Sequence, residues 1–256
     1  MNLDDEVVQG IMRHAGEDYP REACGVVITI GKVQHYLPCR NTAHGNDQFT
    51  IDPVDFANAQ DLGEVVAIYH SHPDSDSKPS MADRVSCELH GYPWVIVSHP
   101  GGGLHTFEPS GYIAPLLGRD FFHGLLDCWS ACRDFYSREL GIEFPNYARE
   151  DAWWEATDHS MYDQLYKDAG FLRLPPEAEL QRGDMLVMRV GRTRCANHAA
   201  IYLGTDPNLI SEPSPAVGGQ GPFFFHHLYG RSSERLIYGG NWVERTEFVL
   251  RPRSLA

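Results

Sequence analysis

Two groups of residues in this chain have the types and the spacing of reactive centres. The first is His70-Ser71-His72-Pro73, followed by Ser80 and Asp83, with Glu22 upstream. His70 and His72 stand two apart at the end of an apolar strand, so both imidazoles fall on one face and can share a metal. Asp83 follows through a loop that turns into a helix. Two histidines and one carboxylate are the ligand set of an open catalytic zinc, with water in the fourth place. Zinc lowers the pKa of that water from 15.7 to about 7. Such a site also needs a base, and Glu22, at the start of the first hairpin strand, is the candidate. Ser80 is placed to donate a hydrogen bond to the oxyanion that forms on an attacked carbonyl. Ser80 and Asp83 also read as a helix N-cap with an acid at the third helical position, and the two readings are compatible.

The second group is Cys128, His198 and His226. Cys128 follows Asp127 at the head of an amphipathic helix. A thiol there meets the positive end of the helix dipole, which favours the thiolate. His198 opens the strand-like run His-Ala-Ala-Ile-Tyr-Leu-Gly and is the candidate base. A third polar group must orient that imidazole. His226 is the choice for it and His227 the alternative.

The elements that carry these residues follow from periodicity. Leu3, Val7, Val8, Ile11 and Met12 predict a helix over 3–14. Residues 23–30 and 33–37 predict a hairpin across Gly31-Lys32. A polar loop covers 40–50, a helix 52–59 with Pro53 in its first turn, and a buried strand 64–69. A helix from Ser80 to about Leu89 precedes strands at 93–97 and 104–107. Two Pro and two Gly without charge mark 109–118 as a linker. Beyond it, helices are expected at 128–140 and 150–170. Strands are expected at 184–190, 199–203, 209–210, 223–228 and 248–250, with 212–222 as an inserted loop. The pattern predicts an α/β unit over 1–108 and an α+β unit over 119–256.

The spacing of Glu22-Ala-Cys-Gly, His70-Ser-His72-Pro, Ser80 and Asp83 resembles the JAMM (MPN+) metallopeptidases over about residues 1–108. That resemblance implies a mixed sheet flanked by helices, and zinc on His70, His72 and Asp83. It also implies Glu22 as base and acid, Ser80 on the oxyanion, and an amide or isopeptide substrate. Asp127-Cys128, Arg182-Gly-Asp184 and Asn197-His198-Ala-Ala-Ile-Tyr-Leu-Gly resemble the NlpC-type cysteine peptidases over 119–256. This implies a papain-like core, with the cysteine helix packed on an antiparallel sheet, and cleavage of peptide bonds in bacterial cell-wall stems. Two features depart from that pattern. Trp129-Ser130 stands where the family usually has Ser-Gly, and the third residue comes later than usual because 212–222 are inserted. The order of the two units, with Asp151-Ala-Trp153-Trp154, His226–Arg231 and Tyr238–Trp242, resembles the tail-tip assembly proteins of lambda-like siphophages. The tandem implies other tail-tip proteins and peptidoglycan stem peptides as partners. It implies assembly in the host cytoplasm, residence in the virion tail tip, and action at the host cell wall. The alternative is a chiefly structural tail-tip component whose pockets serve assembly.

Composition narrows the classes. The chain has 256 residues, with 35 Asp and Glu against 21 Lys and Arg. Residues 1–118 hold 16 acids against 6 bases, and 119–256 hold 19 against 15. Such a balance argues against a basic grip on nucleic acid and against a polybasic membrane surface. The acidic start lacks the positive and apolar regions of a secretory leader, and no apolar run approaches the ~20 residues of a membrane span. A protein made in the cytosol is expected. The six cysteines show no compact disulfide framework and read as thiols, with Cys128 the reactive one.

Overall fold

The computed structural model describes residues 1–150, 152–155 and 157–256. Asp151 of the Asp151–Trp154 motif lies outside the described residues. The chain divides into two compact units, Met1–Ile113 and Ala114–Ala256.

The first unit runs α1 (Asp5–Asp18), β1 (Cys24–Ile30), β2 (Val33–Cys39), α2 (Pro53–Leu62), β3 (Glu64–Pro73), α3 (Met81–His90), β4 (Trp94–His99) and β5 (Leu104–Phe107). Its sheet has the order β2-β1-β3-β4-β5. Only β3 and β4 pair in parallel. That pairing needs a crossover, which α3 supplies. One face of the sheet packs on α1 through Val7, Ile11 and Ala15, and the other on α2 and α3 through Ala59 and Cys87. The central strands are therefore apolar on both faces, and this is why β1 and β3 read as nearly unbroken apolar runs. The strand expected over 64–69 extends to Pro73, so both histidines lie within it.

The second unit continues with α4 (Cys128–Leu140), α5 (Met161–Leu165), β6 (Phe171–Arg173), β7 (Met185–Met188), β8 (His198–Gly204), β9 (Phe223–His226), β10 (Glu234–Ile237), α6 (Asn241–Arg245) and β11 (Thr246–Pro252). All pairings in its sheet, ordered β10-β9-β8-β7-β11-β6, are antiparallel. The cysteine helix α4 lays Ala131, Cys132 and Phe135 on this sheet, against Val187, Ala199, Ile201 and Phe225.

Three local expectations are corrected. Among the described residues, the helix expected over 150–170 is reduced to a single turn at Trp153–Glu155 and the short α5, which Ser160 starts afresh by capping the Tyr162 amide. Leu209–Ile210 is loop, its amides held by the Ser214 hydroxyl and the Glu139 carboxylate. The run expected as a strand over 223–228 stops at His226. The strands β6 and β10 and the helix α6 are additional elements.

Gly25, in β1, lies where a side chain has no room. A Cβ there would stand 2.5 Å from the Leu37 carbonyl oxygen and 2.8 Å from the Tyr36 ring. Gly25→Ala is therefore expected to destabilise the full chain by about 1–3 kcal/mol through overpacking. Denaturant unfolding checks this, and a variant as stable as the parent would show that the hairpin relaxes freely.

Candidate functional sites

Three hydrogen-bonded segments converge to build the first centre. Ala23 and Ser71 exchange bonds: the Ser71 amide donates to the Ala23 carbonyl at 2.9 Å, and the Ala23 amide to the Ser71 hydroxyl at 2.8 Å. This ties the segment before β1 to β3 and sets Glu22 beside the histidines. Glu22 lies two residues ahead of the strand, and its backbone is held by Asn41 and Asn46. At the head of α3 the Ser80 hydroxyl accepts from the Asp83 amide at 3.1 Å, and Asp83 Oδ2 accepts from the Ser80 amide at 2.7 Å. That reciprocal capping box aims the Asp83 carboxylate at β3. Ser80 thus spends its acceptor on the cap and keeps its own proton to donate.

His70 Nε2 and His72 Nε2 are 3.0 Å apart. They lie 3.2 and 3.3 Å from the two oxygens of Asp83. Ligands about 2.0–2.1 Å from a tetrahedral zinc stand about 3.3 Å from one another. The donor set, two imidazole nitrogens and a carboxylate at these separations, fits such an ion. His72 Nδ1–H donates to the Asp76 carbonyl at 2.8 Å, which leaves the Nε2 lone pair facing the cluster. His70 is buried and stacked on Phe49, with centroids 4.5 Å apart. Burial works against the Asp83 charge, yet His70, His72 and Ser80 hold its carboxyl well below the usual range. Glu22 behaves oppositely. Burial pushes it up to about 8, Asp83 and Asp47 add to the rise, and the nearby His72 opposes it. A buried carboxyl with its pKa near neutrality can take a proton and return it.

In the second unit Cys128 and His198 line one cleft of about 280 Å³, with Phe121, Trp153, Trp154, Tyr162 and Tyr229 among its walls. His198 Nε2 is 3.1 Å from His226 Nδ1. His227 is buried against Phe121 at 5.1 Å, so the strand presents His226 to His198. Cys128 Sγ makes its hydrogen bond to Tyr162 Oη at 3.4 Å. Among the described residues, no hydrogen bond joins Cys128 to His198.

The expectation that the helix dipole favours a thiolate is corrected. Burial, and then the Asp127 charge, push the Cys128 thiol above its ordinary value, while Tyr162 and Arg149 oppose the shift. Burial and the neighbouring His226 and His227 hold His198 well below its own. Both shifts act against a thiolate–imidazolium pair at rest. Asp127 caps α4 through the Ser130 amide at 2.9 Å, and its carboxylate pairs with Arg149 at 2.7 Å. Arg149 spends its other donors on Asn146, Tyr147, Gly124 and Ser130. This ion pair screens the thiol from a bare carboxylate.

Sequence reasoning passed over Tyr162, Arg149, Phe49 and Asn41. Phe49 carried a signal, as the sole aromatic residue in a polar stretch. The others are recognisable only once remote segments are brought together. All six cysteines are free, and Cys128 alone is partly exposed as a residue, although its sulfur is desolvated.

With both centres in view, the chain is a pair of hydrolase-type domains. Residues 4–108 match the family of prokaryotic homologs of the JAB domain, and residues 118–251 match the NlpC/P60 family. The chain belongs to the tail tip assembly protein K family of lambda-like phages. It is 39% identical over 254 residues to tail tip assembly protein K of Escherichia phage N15, covering 98% of this chain and 96% of that one. Identity to tail tip assembly protein K of Escherichia phage lambda is 34% over 204 residues, covering 80% and 90%. The JAB side is similar to a desampylase of Haloferax volcanii, 30% identical over 124 residues, covering 43% of this chain and 88% of the relative. Among the described residues no helix is long and apolar enough to cross a membrane.

Two outcomes are expected of the second centre. Since the thiolate appears only as pH approaches a raised pKa, alkylation of Cys128 by iodoacetamide should climb steadily from about pH 5 to about pH 9. A plateau between about pH 5 and 7 would instead reveal a preformed thiolate–imidazolium pair. Arg149→Met strands the Asp127 carboxylate and should cost about 3–5 kcal/mol of stability, part of it regained by adding Asp127→Asn. Denaturant unfolding of the parent and the two variants measures this, and a loss under about 1 kcal/mol would mean that Asp127 finds water instead.

Proposed function

We propose that this chain is a tail-tip assembly component of a lambda-like phage that carries two hydrolytic centres. The thiol centre cleaves peptide bonds of bacterial cell-wall stems, and the other hydrolyses an amide or isopeptide bond with zinc. Domains of 1–108 and 119–256, joined by the linker 109–118, house them. The protein assembles with other tail-tip proteins in the host cytoplasm, rides in the virion tail tip and acts at the cell wall. The observation that carries the reading is the shared cleft of Cys128 and His198, with His226 3.1 Å behind the imidazole. The tail-tip relatives and the NlpC/P60 match support it.

In the thiol centre, Cys128 gives its proton to His198 Nδ1, the ring nitrogen left free by His226. The thiolate attacks the peptide carbonyl carbon, and a thioester replaces the amide bond. His198 hands the proton to the departing amine, takes one from the water that hydrolyses the thioester, and returns it to the released Cys128 thiolate. In the other centre His70, His72 and Asp83 would hold the zinc. Zinc, when bound, supplies a polarised carbonyl and a water acidified to a pKa of about 7. Glu22 takes the proton of the attacking water and delivers it to the leaving amine. Ser80 donates to the oxyanion.

Purified full chain should contain one zinc per molecule and lose it in His72→Ala. Its digestion of defined muropeptides should fall by about 10³-fold or more in Cys128→Ala. Absence of metal from the parent would overturn the zinc centre. Muropeptides and intact peptidoglycan left uncut by the parent would favour the chiefly structural role.

A further inference from the structure

The third imidazole of the thiol centre has an unpartnered end. For His198 Nδ1 to accept the thiol proton, His198 Nε2 must carry the other proton and donate it to His226 Nδ1. The proton of His226 then sits on Nε2. That atom is fully buried and has no hydrogen-bond partner. The charged group it faces is Glu234, whose Oε1 lies 3.8 Å away. Backbone register places the carboxylate there. His226 and Glu234 are directly opposed across β9 and β10, so their side chains share a face. His198 lies diagonally across β8 from His226, whose direct partner is Ala200. Three neighbouring strands thus align His198, His226 and Glu234 in one row.

We propose that Glu234 is a positioning residue of the thiol centre. It fixes the tautomer of His226 and supplies the negative charge against which His198 becomes positive. The proposal rests on the thiol-peptidase reading. At rest a separation of 3.8 Å is too long for a hydrogen bond. Contacts of this kind tighten when charge develops. The proton taken from Cys128 stays on His198 Nδ1, and the His198 Nε2–H and His226 Nε2–H protons stay where they are. Glu234 remains a carboxylate throughout.

The other charged and titratable groups around the row do not supply this charge. His227, next in the chain, and Arg231 both disfavour a positive His226. Trp242, from α6, covers the His226 ring edge-on at 4.9 Å. Asp127, on α4, is committed to Arg149, and Tyr162, on α5, bonds the thiol itself. Burial already depresses His198 strongly. A counter-charge reached through His226 offsets that penalty at the moment of proton transfer. Glu234 is on the outermost strand of the sheet and its side chain is 39% exposed, so the fold tolerates its change.

The test measures alkylation of Cys128 by iodoacetamide as a function of pH in the full chain, comparing the parent with Glu234→Gln, Glu234→Asp and the control Glu247→Gln. Glu247 is an exposed acid on β11, paired with Arg189. Glu234→Gln should slow alkylation at neutral pH, where the reactive species is the thiolate–imidazolium pair, by about tenfold, with an unchanged unfolding midpoint. Glu234→Asp should recover part of the rate, and Glu247→Gln should match the parent. A Glu234→Gln profile that superposes on the parent's would overturn the proposal, as would an equal slowing in Glu247→Gln. This readout needs no turnover, so it decides the role of Glu234 even where muropeptides are left uncut.

Discussion

Burying a carboxylate costs several kcal/mol unless other groups replace its water, and each centre of this protein is organised around one that is buried at the head of a helix. Asp83 stands in the first turn of α3 and Asp127 caps α4. Both accept hydrogen bonds from backbone amides that would otherwise lack partners at a helix start. The remaining lone pairs then point in a direction set by the helix, and that direction determines what the site can hold. In the first unit they face two imidazole nitrogens and leave a cluster that suits a divalent cation. In the second they face a guanidinium, and the negative charge is neutralised beside the thiol.

The same device therefore yields opposite electrostatics. Around Asp83, anionic character is concentrated and left open to a cation, and Glu22 is pushed toward neutrality by the shared burial. Around Asp127, charge is cancelled locally, and burial works against charge on the thiol and its imidazole. A thiol whose surroundings disfavour the thiolate is less prone to oxidation and stray alkylation than an exposed thiolate. Its reactivity must then come from groups that stabilise the ion pair as it forms, which is why the row of side chains behind His198 matters.

The first unit was largely legible in the residues, because its chemistry lies in short local motifs on strongly patterned elements. The His70–His72 pair, the cap at Ser80 and the strand before them are all readable within residues 64–83. The second unit was legible at Cys128, His198 and His226, but less so between them. The 150–170 region has enough helix-forming residues to suggest a continuous helix, yet its aromatic side chains are drawn into the cleft and the core by tertiary packing, which overrides local preference. The strands β6 and β10 are too short to show a period. Arg149, Tyr162 and Glu234 act across gaps of 22, 34 and 8 residues from the groups they touch, and spacing alone does not reveal such contacts. The dipole argument for Cys128 failed for a physical reason: desolvation of the thiol among its neighbours outweighs the dipole, and the capping carboxylate adds a smaller rise.

The order of strands in the second sheet bears on when the thiol centre comes into being. Strand β11, the last to be synthesised, lies between β7 and β6 and pairs with both. The core beneath α4 includes its Phe248 and Leu250. Until residues 246–252 have left the ribosome, the sheet has a gap next to its centre and α4 lacks part of its bed. A nascent chain thus carries its cysteine and histidines long before it can align them. The cleft that brings Cys128 and His198 together therefore depends on a strand far from both in the chain, and takes shape only once that strand has filled the gap.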